Sequence, residues 1–203
     1  MPIGAVITAD IVNSTTVSAD KMKKLKERLT ALFADFRHEF YRGDSFQVYL
    51  RDPAEALSLV LKTRAEARKL SSLLDIRAAI GIGDVNPAVK KINTATDEAF
   101  VISGRAFDRL GKKIDKLAIE SSDAELNNAL SIVANFADYI FQDITKKQAE
   151  VLVELLKGTT QLEVTRKLKK SKSTISQHVQ SLGWHALERL INGYKNIVSI
   201  KRK

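Results

Sequence analysis

Cysteine is absent from the 203 residues, which excludes disulfides, thiolate zinc sites and a cysteine nucleophile, and agrees with a reducing compartment. Histidine is scarce, and His38, His178 and His185 stand too far apart along the chain to form a transition-metal cluster. No run of about 18 apolar residues is present, and no basic leader followed by an apolar stretch opens the chain. Neither a membrane span nor a secretory signal is therefore expected, and the expected compartment is the cytoplasm. Internal repeats and low-complexity tracts are lacking as well. With 44% hydrophobic and 28% charged residues, the chain has the balance of a folded globular protein rather than of a disordered one.

Negative charge is what one end of the chain has little of. Residues 145–203 carry 13 Lys and Arg against 4 Asp and Glu, whereas residues 1–144 carry 20 of each, so the whole net charge of +9 lies in the last third. A neutral region joined to a basic one is the electrostatic footprint expected of a nucleic-acid-binding protein, because phosphates attract Lys and Arg and release counterions when neutralised. A solvated basic tail is the plainer alternative.

The apolar pattern orders the first two thirds. Residues 4–11 (GAVITADI) form a short apolar run that predicts a buried strand. From residue 19 to residue 40 the positions Met22, Leu25, Leu29, Leu32, Phe33 and Phe36 recur at helical spacing. Two extended stretches, 38–42 and 45–50, flank Gly43-Asp44 and predict a hairpin. Pro53 marks the start of a helix running to about Leu70, and residues 76–82 predict a further strand. Residues 85–101 are expected to form an exposed loop or arm. A helix over 103–113, a strand over 116–120 and a long helix over 123–141 follow, and the last residues (KRK) are expected to fray. The order β-α-β-β-α-β with additions predicts an α+β fold of the ferredoxin-like kind.

The last third predicts only helices. Thr145 caps a helix over 146–157 that Gly158 ends, and Thr159 or Thr160 caps the next, in which Val164 and Leu168 point inward. Lys169-Lys170-Ser171 forms a turn, and a third helix over 172–182 buries Ile175, Val179 and Leu182. Its opposite face presents Lys172, Ser173, Thr174, Ser176, Gln177, Gln180 and Ser181, hydrogen-bonding groups without an acid among them. In a helix-turn-helix such a face reads base edges in the major groove of double-stranded DNA, while Arg166, Lys167, Lys169 and Lys170 straddle the backbone. Trp184, Leu187, Leu190, Ile191 and Tyr194 make a final apolar stripe, expected to pack as core, with a homodimer contact as the alternative.

Residues 160–182 (TQLEVTRKLKKSKSTISQHVQSL) resemble the helix-turn-helix of response regulators and of sigma-factor region four, with Thr165 where alanine is common there. Residues 10–15 (DIVNST) resemble the DIVGST signature of class III nucleotidyl cyclases. Residues 43–46 (GDSF), 76–85 (IRAAIGIGDV) and 101–110 (VISGRAFDRL) are similar to further cyclase motifs in the same order. The combination also resembles small SatD-type bacterial proteins. The cyclase resemblance implies a ferredoxin-like domain in which Asp10, Asp44 and the backbone carbonyl of Ile11 hold magnesium beside a nucleotide. It also implies that Arg109 stabilises the transition state.

Three departures bear on activity. Phe40 stands where cyclases carry a base-recognising lysine, Arg105 where they carry a ribose-orienting asparagine, and Asn13 where a glycine lies against the triphosphate. Cyclisation needs metal, base and ribose positioning together. The expected protein is therefore a DNA-binding regulator. A degenerate cyclase-like domain over 1–142, serving as sensor or dimerisation unit, precedes an all-α helix-turn-helix domain over 143–203. The alternatives are a nucleotide-binding or cyclase-type enzyme with an accessory nucleic-acid-binding domain, and an interaction module without DNA affinity.

Overall fold

Alternating side chains build the sheet. In β1 (Ile3–Val12), Ala5, Ile7, Ala9 and Ile11 join the main apolar core, while Val6, Thr8 and Asp10 point to the other face, as the two-residue period of an extended strand requires. The computed structural model describes residues 1–86, 88, 91–111 and 114–199, with Asn93 described by its backbone alone. Among these residues the chain is α+β, with one five-stranded mixed sheet and eight α-helices. β3 (Ser45–Leu50) and β4 (Asp75–Asp84) flank β1 and run antiparallel to it. β2 (Arg37–Tyr41) pairs antiparallel with β3, and β5 (Leu117–Ser121) runs parallel to β4, so the order is β2-β3-β1-β4-β5. The expected hairpin forms around Gly43, at φ 86°, where glycine meets no Cβ penalty, and Arg42 joins it in the left-handed region at φ 49°.

Two helices cover one face. α1 (Ala19–Leu32) starts at Ser18, whose hydroxyl accepts from the Lys21 amide, and buries Leu25 and Leu29. The helical spacing expected to continue to residue 40 stops eight residues earlier. Phe33 and Phe36 stay in or against the core, but as part of the turn that leads into β2, where Phe33 meets Phe40 and Phe46. α2 (Ala56–Leu70) follows a 3-10 turn at Pro53–Glu55 capped by Asp52, and buries Leu57, Val60, Leu61 and Ala65.

The opposite face is taken by α3 (Glu98–Leu110), which begins five residues before the expected start. Its Ser103 hydroxyl meets Thr8 at 2.9 Å. The segment expected to be an exposed arm is tied down instead: Val85, Ile92, Ala99 and Phe100 pack with Val6 and Tyr49. Glu98 accepts from the Asp84 amide at 2.9 Å and Asp97 from the Asn86 amide at 3.1 Å. The proposed helix end at 112–113 and the terminal KRK lie outside the described residues.

α4 (Ala124–Gln142) starts from an Asp123 cap and packs Leu130, Val133, Ala134, Ala137 and Phe141 into the main core. The last four helices are α5 (Lys146–Leu156), α6 (Gln161–Leu168), α7 (Lys172–Ser181) and α8 (Trp184–Ser199). α5 is buried from Val151 to Leu156 because it packs on α2 on one side and on α6 and α7 on the other. The stripe on α8 is core: Trp184, Leu187, Ile191 and Tyr194 are buried, and the Tyr194 hydroxyl donates to the Pro53 carbonyl at 2.8 Å. Burial pushes that phenol's pKa well up, which leaves it a neutral donor. One apolar cluster thus runs from the sheet through α5 to α8. No helix among the described residues is long and apolar enough to cross a membrane.

Candidate nucleic-acid interface

Reciprocal capping sets the path of the basic third. At the start of α5, Thr145 and Gln148 exchange hydrogen bonds, and at the start of α6, Thr160 and Glu163 do the same, each satisfying amides that a helix start leaves open. Thr160, rather than Thr159, is therefore the cap. Gly158, at φ 82°, turns the chain between them. Between α6 and α7 the turn is made by Lys169 in the left-handed conformation (φ 51°, ψ 45°), then Lys170 and Ser171. The Ser171 hydroxyl accepts from the Thr174 amide at 3.1 Å and starts α7.

This geometry divides α7 cleanly. Ile175 and Val179 are buried, whereas Lys172, Ser173, Ser176, Gln177, Gln180 and Ser181 are exposed. Thr174 is half-buried, its hydroxyl 2.8 Å from that of Ser171. Arg166 and Lys169 are exposed and Lys170 is half-buried, all on α6 or the turn after it. These groups together make an acid-free, hydrogen-bonding surface that stands clear of the protein's own core.

Lys167 is exposed as well, and it carries an ion pair within the protein. Its ammonium lies 2.6 Å from Glu154, a buried acid of α5 that also binds Lys157 at 3.3 Å. Burial raises the pKa of Glu154, but the hydrogen bonds and charges of Lys167 and Lys157 outweigh it and hold the carboxyl below its ordinary range. Lys167 thus links α6 to α5 through a half-exposed ion pair. Nothing in the local sequence signals this, since its partner lies 13 positions away on another helix. A second unforeseen link joins the Gln148 amide to the Ser181 hydroxyl at 2.9 Å, which fixes the end of α7 against the start of α5.

Glu154→Gln is expected to lower stability by about 1 kcal/mol at neutral pH, a figure reduced for the exposure of both lysines. Because the folded pKa is depressed, this contribution is present above the unfolded carboxyl value of about 4.3 and fades as pH falls through the folded value. Urea unfolding of the two proteins should therefore differ at neutral pH and converge in acid; a constant gap would refute the assignment.

The candidate metal site lies on the α3 face of the sheet. Asp10 pairs across the strands with Arg77, whose Nε and Nη2 donate to its two carboxylate oxygens at 3.2 and 2.5 Å. The Arg77 guanidinium also lies over the Phe107 ring, 5.2 Å from its centroid. Asp44 stays near β1 through its carbonyl, which accepts from the Ile11 amide at 3.1 Å, but its carboxylate accepts from the Ser14 hydroxyl at 2.7 Å. Asn13, at φ 60°, donates from its side chain to the Leu73 carbonyl at 2.7 Å, so the loop after β1 is stapled to the loop before β4. Arg109 forms an ion pair with Glu120 on β5.

A magnesium ion prefers an octahedron of oxygens with net negative charge. Both oxygens of Asp10 accept from the Arg77 guanidinium, and among the described residues no group of three or more His, Cys, Asp or Glu side chains gathers that could hold a metal ion. Nearby, burial raises the pKa of Tyr41, Arg42 lowers it, and Asp10 and Asp108 raise it further, so the phenol remains protonated at this mixed-charge corner.

No protein-family model matches the chain, and no curated protein matches it. The functional reading therefore rests on the residues and their geometry.

Proposed function

We propose that the protein is a DNA-binding regulator that reads duplex DNA with α7. The single observation that carries the reading is the outward face of that helix: Lys172, Ser173, Ser176, Gln177 and Gln180 are exposed together, while Ile175 and Val179 anchor the same helix in the core. α6, the turn 169–171 and α7 then form a helix-turn-helix. The N-terminal end of α7 enters the major groove, Gln177 and Gln180 pair with base edges, and Arg166, Lys169, Lys170 and Lys172 meet phosphates.

Residues 1–142 serve in this reading as a ferredoxin-like domain of the cyclase type without turnover, and 143–203 as the DNA-reading domain. The strand order β2-β3-β1-β4, antiparallel at every junction, supports a βαββαβ arrangement to which β5 is added. The Asp10–Arg77 and Arg109–Glu120 ion pairs speak against the enzyme alternative.

The test is duplex binding by fluorescence anisotropy across salt concentrations, using a site selected from genomic fragments. Affinity should fall steeply with salt. Lys172→Ala should weaken all duplexes alike and reduce the salt slope by about 0.9. Gln177→Ala should cost about 1–3 kcal/mol on the selected site and little on random DNA. Absence of binding at low salt, or equal effects of both variants on every duplex, would refute the proposal.

A further inference from the structure

One edge of the sheet is unfinished. Among the described residues, β5 pairs with β4 on one side and with no strand on the other. The bond from the Ala78 amide to the Lys116 carbonyl fixes the phase of this parallel ladder: Ala118 and Glu120 turn their main-chain groups toward β4, and Leu117, Ile119 and Ser121 turn theirs outward. Ser121 agrees with that phase. Its amide donates to the Asn127 side-chain oxygen at 2.7 Å, and its carbonyl accepts from the Asn127 side-chain nitrogen at 3.0 Å. One side chain of α4 thus answers Ser121 as a residue of a neighbouring strand would. Among the described residues no hydrogen bond reaches the outward amides and carbonyls of Leu117 and Ile119.

These two residues line a cleft of about 410 Å³. Their side chains belong to the main core, so what they offer the cleft is main chain. Leu110 of α3 closes one side, and Asn128, Ser131 and Asn135 of α4 stand exposed on the other. An unpaired sheet edge is a template for another strand. The charged residues among those lining the cleft are Asp115 and Glu120, both acids. Glu120 is matched by Arg109, whereas Asp115 meets no cation among the described residues.

We infer that this cleft takes an extended peptide segment of another protein as a sixth strand, with a Lys or Arg at the end beside Asp115. The outward groups of Leu117 and Ile119 repeat at the spacing of alternate strand residues, about 6.6 Å, which a second main chain matches donor for acceptor. Main-chain bonds of this kind supply affinity, and pockets for alternate side chains supply specificity. Here Asn128, Ser131 and Asn135 give neutral donors and acceptors on the α4 side. The acidic lining selects a cationic segment and repels nucleic acid. A second copy of the chain would bring an edge equally sunk between α3 and α4 and bearing the same unmatched Asp115, so two such edges neither reach nor attract each other.

Phage-displayed random peptides of about seven residues, long enough to cover β5 at about 3.3 Å per residue, selected on the full chain, test the inference. No DNA is involved, so the outcome is separate from that of the DNA-binding reading. Enriched sequences should carry Lys or Arg near one end. In anisotropy titrations with one labelled enriched peptide, N-methylation at alternate positions should weaken binding roughly tenfold, the worth of one or two main-chain hydrogen bonds, and at the intervening positions should leave it unchanged. Ser131→Trp, at an exposed site on the cleft wall, should lose the peptide while keeping the circular dichroism spectrum of the wild type. Asp115→Lys should also weaken binding, and replacing the peptide's cation by Glu should restore it to that variant. In the wild type, the Leu117 and Ile119 amides should exchange hydrogen more slowly once the peptide is bound. A selection that enriches no peptide, a peptide that tolerates N-methylation at every position, or an Ile119 amide whose exchange the peptide does not slow overturns the inference. So does a chain that dimerises through the cleft, its dimer lost in Ser131→Trp.

Discussion

Arg64→Met should destabilise the protein by about 3–5 kcal/mol, enough to unfold a domain of ordinary stability at physiological temperature. Arg64 is 1% exposed, yet it is charged. Its Nε and Nη2 donate to the two oxygens of Asp75 at 2.9 and 3.0 Å, and Nη1 lies 2.7 Å from Asp138. The guanidinium sits 4.5 Å from the centre of the Phe141 ring, and Arg68 adds a third donor to Asp75 at 3.1 Å. Methionine preserves much of the volume but leaves two buried carboxylates short of their cation, and that uncompensated charge is the source of the loss. Thermal unfolding followed by circular dichroism measures it; a loss below about 1 kcal/mol, the range of exposed ion pairs, would sink the argument.

The same cluster sets an acid limit. Burial raises the pKa of Asp75, but Arg64, Arg68 and the Ile76 amide together pull it below the ordinary range. Its stabilising contribution is therefore complete above the unfolded value of about 3.9 and is lost as pH falls through the lower folded value. Asp75→Asn should remove that part of the acid transition, seen as a shallower decline of melting temperature with falling pH.

Gly81→Ala should cost about 3 kcal/mol, at the upper end of ordinary overpacking. A methyl group there would stand 2.4 Å from both the Ala99 carbonyl oxygen and the Ser103 amide nitrogen, and backbone atoms cannot rotate aside. α3 would have to lift from the sheet, loosening the Thr8–Ser103 contact and the cluster around Phe100. Gly104 is the internal control. It lies in α3 with nothing within 4 Å of an added Cβ, so Gly104→Ala should stabilise by about 0.5–1 kcal/mol through helix propensity alone. Denaturant titration of the two variants should move in opposite directions, and a shared direction would contradict the account of how α3 sits.

Periodicity, punctuation and caps make most of this fold legible in the sequence. The hairpin at Gly43, the Pro53 start, the Gly158 stop and the buried positions of α7 all come from local rules, and local rules act within a few residues. What escaped them is longer in range. The helical spacing through Phe33 and Phe36 continued past the end of α1 because those rings serve a core that β2 and β3 complete. The segment after β4 read as exposed because its polar residues outnumber Val85 and Ile92, whose burial depends on Tyr49 and Val6 of other strands. In the candidate sites the missing information was pairing. Asp10 meets Arg77 through strand register, and Lys167 meets Glu154 through helix packing. Neither partner is legible from composition or spacing.

The apolar continuity from the sheet through α5 to α8 has a mechanical consequence. With Val151, Leu152 and Val153 buried and Tyr194 bonded to Pro53, the final four helices lean on the first part of the chain for their own hydrophobic support. They are not a detachable head on a tether. Heating should melt both parts in one event, and a protease cut near residue 143 would release a fragment with raw, sticky surfaces rather than a free-standing module.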